Sequence, residues 1–388
     1  MSPRKAGTAL LAALFCAVAG ACGTAQSPPA EAVACGNAKA QQSPPAVAAA
    51  CGTTQAQQPL PAEAAACGTT QAAPSAFAIA RSGQIVMGTV LTVTVIATDE
   101  TLARRLADEA IAEAHRWDDV LTIWRPEGEL ARFNTRAGDG AVSISPSLAE
   151  GLTAMLRLAK ETGGAFDPAA GSAARHAVRL SAQPPALVAA SERAVTGRSP
   201  AEEAGLAGVL RVNGASASLQ AGASIDPGAI GKGIALDAAA KLLRRGGAAA
   251  AFLDFGGSSQ LAIGAPPEDP RGWTVAVSGL AADTSHGVLH LRDGCLSTSR
   301  AGALDTVPIL DPRDGSVVAP PRLATVLAPD ATSADAWSTA LIVLGTDGTG
   351  VAAAKGLETL FEDGSGLRRS TAFPLGPPEK FPAGDDFN

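Results

Sequence analysis

The sequence has no tyrosine, and its only aromatic residues are ten phenylalanines and four tryptophans in 388 residues. Aromatic anchors will therefore be few, although Leu, Val and Ile suffice for a sizeable core, and the length allows two average domains. Basic residues are also scarce, because 30 Lys and Arg stand against 37 Asp and Glu, for a net charge of -7. This balance argues against nucleic acid as a partner.

Histidine is equally sparse, and the four histidines show no metal-ligand spacing: His115, His176, His286 and His290. We interpret them as surface or packed-core residues. Apart from Cys16 in the N-terminal apolar stretch, the six cysteines fall into two groups. Cys22, Cys35, Cys51 and Cys67 recur in a short repeated unit, whereas Cys295 has no evident partner and is predicted to be a buried small hydrophobe.

The N-terminus has no apolar run long enough to predict a membrane span. Arg4 and Lys5 precede the apolar stretch "ALLAALFCAVAGA", which ends in small residues before Cys22. This pattern is typical of a bacterial lipoprotein signal peptide, here residues 1–21, with Cys22 as the lipidated residue. We therefore expect an exported protein, lipid-anchored to a bacterial membrane and facing the periplasm or the cell exterior. Plain secretion with cleavage nearby is the alternative, because Ala19 stands where Leu or Val is usual.

Residues 22–79 are rich in Ala, Gln, Pro, Ser and Thr and carry almost no large apolar side chains. Stacking the repeated cysteine units would bury little surface, so we interpret this stretch as a disordered tether rather than a solenoid. The folded domain is predicted to occupy residues 80–388.

Within this domain, helical and strand patterns alternate along the chain. The stretch from Met87 alternates like a strand, and a helix follows it, with Asp99 or Thr101 as the cap. Gly256 and Gly257 separate two strands, and the helix "SADAWSTALIVLG" (333–345) is predicted to be capped by Ser333. Because several strands come as hairpins, the pattern predicts an α+β fold with mixed sheets and packed helices.

The segment "IDPGAIGKGIALD" (225–237) sets Lys232 among glycines directly before a helix. Glycines permit close backbone approach to a ligand, and a helix N-terminus presents free N–H groups to a phosphate. The Walker pattern is absent, since Gly228 lies only three residues before Gly231. An ordinary structural turn before a helix remains an equally weighted alternative at this point.

Asp335 and Thr339 are four residues apart on one predicted helix. A carboxylate and a hydroxyl on one helix face offer hard oxygen ligands suited to Mg²⁺. The alternative is a solvated helix start.

Seven segments in order resemble the FAD:protein FMN transferases, the ApbE family. The resemblance covers roughly residues 80–365 and rests on "MGT" (87–89), "LTIWRPEGELARFN" (121–134), "GGAFDP" (163–168), "IDPGAIGKGIALD", "FLDFGG" (252–257), "LDPRDG" (310–315) and "SADAWSTALIVLG". It implies a T-fold-like α+β domain that binds FAD as substrate and Mg²⁺ as cofactor. Such enzymes transfer FMN to a threonine hydroxyl of a partner protein and release AMP. The expected partner is a subunit of a membrane redox complex.

The resemblance also implies roles for individual residues. Asp335, Lys232 and Asn134 would be catalytic, and Asn134 would keep the ligand in transferase rather than hydrolase geometry. The carbonyl of Ala229, together with Asp335 and Thr339, would hold the metal. The flavin nucleotide would lie against Met87, Trp124, Ala165, Phe166, Asp167, Asp226, Lys232, Ile309 and Leu310.

The chain departs from the family pattern in one region. Pro308 stands where relatives carry a histidine, Arg300 replaces a glycine, and the connection between them is short. Proline cannot accept a proton, although Asp305 and Asp311 are nearby carboxylates. Two alternatives follow: a protein that binds FAD without transferring it, and an FAD pyrophosphatase that releases FMN and AMP.

Overall fold

The computed structural model describes residues 77–170, 200–281, 284–302, 309–318 and 321–377. The predicted signal peptide, Cys22 and the predicted tether up to residue 76 lie outside these ranges, as do His176, Asp305 and Pro308. Within the described residues, no helix combines the length and the apolar character that crossing a bilayer requires.

An eight-stranded sheet forms the centre of the fold, and the α+β prediction is confirmed. Every pair of neighbouring strands is antiparallel, because the connections are hairpins or returns from helices. In spatial order the strands are β1 (Ala78–Val86), β2 (Thr89–Ala97), β6 (Ala250–Phe255), β7 (Ser259–Ile263), β10 (Gly294–Ala301), β11 (Arg322–Ala328), β12 (Glu358–Asp363) and β13 (Gly366–Arg369).

Two smaller sheets accompany the main one. The first contains β3 (Val142–Ser143), β5 (Ser216–Leu219) and β4 (Leu210–Asn213), and the second is a hairpin of β8 (Trp273–Ser278) and β9 (Ser285–Leu291). The hairpin has an apolar core of its own with Ala262, Leu296 and Leu323 of the main sheet.

Seven helices are present in the described residues, and the long ones share the largest apolar core. They are α1 (Glu100–Leu121), α2 (Glu129–Thr135), α3 (Pro146–Glu161), α4 (Pro200–Val209), α5 (Gly231–Gly246), α6 (Ala331–Leu344) and α7 (Thr346–Ala353). Helix α1 packs on β1, β2 and α5, and α6 packs on β10, β11 and α5. The helix layer therefore brings the N-terminal ends of α5 and α6 together.

Helix α1 follows its sequence pattern closely. The Asp99 carboxylate accepts the backbone N–H of Leu102 at 2.8 Å, which confirms Asp99 as the cap. Leu106, Ala110 and Trp117 recur at helical spacing, and all three are buried against the sheet.

The cap predicted for α6 is wrong. The helix begins at Ala331 rather than after Ser333, and Asp330 is the cap, because its carboxylate accepts the Ser333 N–H at 2.7 Å. The sequence offers both residues as N-caps, and Asp330 prevails because the helix starts earlier and buries Ser333 within its first turn.

The strand predicted from Met87 also begins later. Met87 and Gly88 form a turn between β1 and β2, with φ of 50° and 77°, so the strand begins only at Thr89. Further along the chain, Arg292 and Asp293 form the turn between β9 and β10. Cys295 is buried on β10, as predicted, and its burial raises the pKa of its thiol.

Candidate functional site

The glycine loop of residues 225–231 is held in place from both of its ends. The Asp226 carboxylate accepts the N–H of Gly228 at 2.8 Å, and the Pro227 carbonyl accepts the N–H of Gly231 at 2.8 Å. Helix α5 begins at Gly231, so the loop runs directly into a helix N-terminus. Lys232 is the second residue of that helix rather than a loop residue before it, because the helix begins at Gly231.

Asn134 fixes the entrance of this loop. Its side-chain amide donates to the Ile225 carbonyl at 2.9 Å and accepts the Ile225 N–H at 2.9 Å. These two hydrogen bonds resemble the pairing between β-strands. They fix the backbone of Ile225 and with it the position of the next residue, Asp226. Asn134 lines neither of the two clefts next to the loop, so the structure places it behind the loop rather than in the ligand-facing wall.

A cleft of about 200 Å³ lies between the glycine loop and α6, and we call it the α6 cleft. It collects most of the predicted site residues, and its walls come from five separate segments of the chain. Its walls are formed by Ala165, Phe166, Asp167, Pro168, Asp226, Gly228, Ala229, Lys232, Thr298, Ser299, Arg300, Ile309, Leu310, Pro312, Asp335 and Thr339.

A second cleft of about 470 Å³, here called the Trp124 cleft, lies on the other side of the loop. It is lined by Met87 and Trp124, among others, and the Trp124 side chain is 47% exposed. The two clefts share Asp226, Gly228 and Lys232. They are therefore two parts of one groove that passes over the glycine loop.

Close contact between α5 and α6 determines the inner wall. A Cβ atom built on Gly233 would lie 2.3 Å from the Ala331 carbonyl oxygen, so only glycine fits between the helices. The Asp237 carboxylate of α5 accepts the N–H groups of Ala331 and Thr332 at 2.8 and 2.9 Å. Two helices that are distant in sequence are thereby locked at their N-terminal turns.

Asp335 lies at the bottom of this junction and is only 3% exposed. Its Oδ2 accepts the Gly233 N–H at 3.1 Å, and its Oδ1 accepts the hydroxyls of Ser297 and Ser259 at 3.1 and 3.2 Å. The alternative of a solvated helix start is therefore wrong, because tertiary contacts bury this turn of α6.

Thr339 stands one turn further along α6 and faces the same cleft. Its hydroxyl lies 3.1 Å from that of Ser299, which in turn lies 2.7 Å from the Ser338 hydroxyl. Sequence reasoning missed these serines as neighbours of the site. The signal was their alternation in "LSTS", because Ser297 and Ser299 point to the same face of β10.

Asp167 serves the backbone as well as the cleft. One carboxylate oxygen accepts the Ala169 N–H at 2.8 Å and the other accepts the Leu206 N–H at 2.9 Å.

The other predicted flavin contacts in the α6 cleft are held by packing or by the backbone. Ala165 and Phe166 are buried, so packing fixes their side chains in the cleft wall. Leu310 pairs with Val317 in an isolated bridge, which holds it and Ile309 at the rim of the α6 cleft.

The histidines of the described residues lie outside the groove. Each has a polar partner elsewhere. Nε2 of His115 lies 2.8 Å from Oε1 of Gln84, and Nε2 of His286 lies 2.7 Å from Oε2 of Glu362. Nδ1 of His290 lies 3.4 Å from the Thr274 hydroxyl. The described part of the chain contains no cluster of three or more His, Cys, Asp or Glu side chains able to hold a metal.

The fold and the groove define a class of protein: an α+β domain with adjoining clefts at a glycine loop that leads into a helix N-terminus. The ApbE family model matches residues 87–361, which is most of the chain. This chain therefore belongs to the ApbE family.

Named relatives and solved structures agree with this assignment. The FAD:protein FMN transferase of Klebsiella pneumoniae (strain 342) is 26% identical over 290 residues, 71% of this chain and 81% of that protein. The enzyme of the same name from Salmonella typhimurium is 25% identical over 294 residues, covering 71% of this chain and 82% of that protein.

The fold is also shared with solved structures. The flavin transferase ApbE from Vibrio cholerae has 23% identity and a TM-score of 0.62, covering 76% of this chain and 98% of that one. The ApbE protein from Thermotoga maritima has 22% identity and a TM-score of 0.66, with coverages of 76% and 98%.

Proposed function

We propose that this protein transfers FMN from FAD to a threonine hydroxyl of a partner protein and releases AMP. The single observation that carries the proposal is the groove, whose two parts meet at Lys232 and the glycine loop. FAD is two nucleotides joined by a diphosphate, so a two-part groove with a cation at its middle suits it. The names of the relatives supply the reaction class.

The chemistry requires positioning and charge neutralisation more than covalent help from the enzyme. The acceptor oxygen would form a bond to the flavin-side phosphorus while the bond from that phosphorus to the AMP oxygen breaks. AMP leaves with the electron pair of that bond, and the hydroxyl proton passes to solvent or to a base. The Lys232 ammonium would stabilise the charge that develops on the phosphate oxygens.

The donors at the bottom of the α6 cleft fit Mg²⁺. The Ala229 carbonyl, the Asp335 carboxylate and the Thr339 hydroxyl are all hard oxygen ligands lining one cleft. Asp335 accepts three hydrogen bonds, and a carboxylate offers about four acceptor positions, so one remains for a cation. When bound, the ion would polarise the diphosphate and stabilise the leaving AMP.

The proposed setting follows from the N-terminal sequence. A lipid on Cys22 and a long tether would hold the domain at a bacterial membrane, facing the periplasm or the cell exterior. This position suits an acceptor that is itself a subunit of a membrane redox complex.

Pro308 motivates the two alternative functions, because the expected histidine is absent from the sequence. Retention of FAD without reaction would make the protein a flavin carrier, and attack by water would make it an FAD pyrophosphatase. Both use the same groove, so only the products distinguish them.

One assay decides among the three functions. The full-length protein is incubated with FAD, Mg²⁺ and a threonine-bearing acceptor protein, and a Thr→Val acceptor is the matched control. Covalent flavin fluorescence on the threonine acceptor alone supports transfer. AMP with free FMN and an unlabelled acceptor supports the pyrophosphatase, and bound FAD with no product supports the carrier.

A further inference from the structure

Strand β10 loses its neighbour on one side before it ends. The register pairs Ser259 at the start of β7 with Ser297, whereas β10 continues to Ala301. The last residues of β10 therefore pair with β11 alone within the described part of the chain.

The direction of the open backbone groups follows from one hydrogen bond. The Thr298 N–H donates to the Ser258 carbonyl at 2.8 Å, so the backbone N–H and C=O of Thr298 point away from β11. Because this direction alternates along an antiparallel strand, the N–H and C=O of Arg300 point the same way. No residue of β7 stands opposite Arg300.

The turn after β6 bends away from this edge. Gly256 and Gly257 both have positive φ, and a Cβ atom on Gly256 would lie 2.5 Å from the Thr89 hydroxyl. Gly256 at the start of the turn therefore lies against β2, and Ser258 at its end bonds to Thr298, so the bonds between the turn and β10 extend no further than Thr298 in the described part of the chain. The edge residues Thr298, Ser299 and Arg300 are half-buried, and they line the α6 cleft.

We propose that the acceptor protein binds as a short extended segment that adds to this open edge of β10, paired through the backbone of Arg300. This inference rests on the proposed function and names how the same site recognises its acceptor. An edge strand recognises main chain, which a polypeptide supplies and a free hydroxyl compound does not. Addition along β10 carries the acceptor into the same cleft as Lys232 and Asp335.

A matched pair of variants tests the edge. Arg300→Pro and Arg300→Ala both remove the guanidinium, which donates to the Gly279 carbonyl at 2.7 Å. Only proline also removes the outward N–H, and it leaves the β11 ladder intact because that N–H takes no part in it. We expect the KM for the acceptor protein to be about tenfold higher in Arg300→Pro than in Arg300→Ala, with equal KM for FAD.

A second measurement does not depend on the folding of either variant. A threonine peptide that the wild-type protein labels with FMN is methylated at one backbone nitrogen at a time. Strand addition predicts that labelling falls at alternate residues and is retained at those between them.

The results separate this inference from the function on which it rests. Labelling that is insensitive to backbone methylation, or that falls at consecutive residues, would overturn strand addition while leaving FMN transfer intact. If the KM for FAD changes in Arg300→Pro but not in Arg300→Ala, the β10 edge binds FAD rather than the acceptor protein, and strand addition is overturned. If wild-type protein labels neither peptide nor acceptor protein, the proposed function fails, and strand addition with it.

Discussion

The Lys232 ammonium lies 3.9 Å from Oδ1 of Asp335, although the two residues belong to different helices. This distance is within ion-pair range but beyond a hydrogen bond. The Lys232 side chain is 24% exposed and Lys232 lines both clefts, whereas the Asp335 side chain is almost fully buried. The pair therefore holds Lys232 beside the groove.

Replacing Lys232 should weaken FAD binding. Lys232→Ala removes a charge-assisted contact of about 1.5–3 kcal/mol, so we expect the Kd for FAD to rise roughly 10- to 150-fold in a fluorescence titration. Lys241→Ala is the matched control, because the Lys241 side chain is 61% exposed and its ammonium pairs with Glu150 at 3.1 Å, and it lines neither cleft. Equal affinities in the two variants would return the glycine loop to a purely structural turn.

Replacing Asp335 should raise the Mg²⁺ requirement. Asp335→Asn keeps the size of the side chain and removes its charge, so we expect at least about a 100-fold loss of apparent Mg²⁺ affinity, measured as AMP release against Mg²⁺ concentration. Ser333→Ala, on the same buried turn of α6, is the control. An unchanged Mg²⁺ dependence would exclude Asp335 as a ligand.

Substituting Gly233 should separate the two helices. Gly233→Ala places a methyl group 2.3 Å from the Ala331 carbonyl oxygen, and we expect a loss of about 1–3 kcal/mol in the free energy of unfolding. Gly350→Ala, which has open space around it in α7, should instead stabilise by about 0.5–1 kcal/mol. Denaturant titration measures both, and a neutral Gly233→Ala would contradict the close helix contact.

Asp237 should make stability depend on pH. Burial raises the pKa of its carboxyl above 3.8, and hydrogen bonds from Thr332 and Ala331 oppose this shift. The folded protein then binds more protons than the unfolded chain, so the contribution of Asp237 to stability is present below about pH 3.8 and declines as pH rises through the folded pKa.

The slope is at most about 1.4 kcal/mol per pH unit for one proton. Asp237→Asn does not titrate, so the difference in unfolding free energy between wild type and variant should shrink with rising pH above about 3.8. A difference that grows over this range would mean that the hydrogen bonds dominate and the pKa is lowered.

Asn134 should control what the bound FAD does rather than whether it binds. Asn134→Ala removes both bonds to Ile225 and frees the start of the glycine loop. We expect more AMP to be released per FMN attached to the acceptor protein, because movement of the loop would shift the FAD diphosphate and expose it to attack by water. An unchanged ratio of AMP to labelled acceptor would leave Asn134 with a purely structural role.

Local patterns predicted the parts of this protein that depend on neighbours in the chain. The cap at Asp99, the buried face of α1 and the hairpin turn at Gly256 follow from spacing and residue type alone. The sequence also predicted that the glycine loop precedes a helix. It misjudged the cap of α6, because Asp330 and Ser333 are equally suitable caps and only packing against α5 decides between them.

By itself the sequence determined which residue types were available and the family to which they belong, since ordered motifs are a property of the chain. Tertiary structure alone decided that Asp335 is buried rather than solvated, that Asn134 stands behind the loop, and that β10 ends with an open edge. Each of these depends on segments that are far apart along the chain meeting in space. Close packing and strand register, which no local pattern encodes, determine how those segments meet.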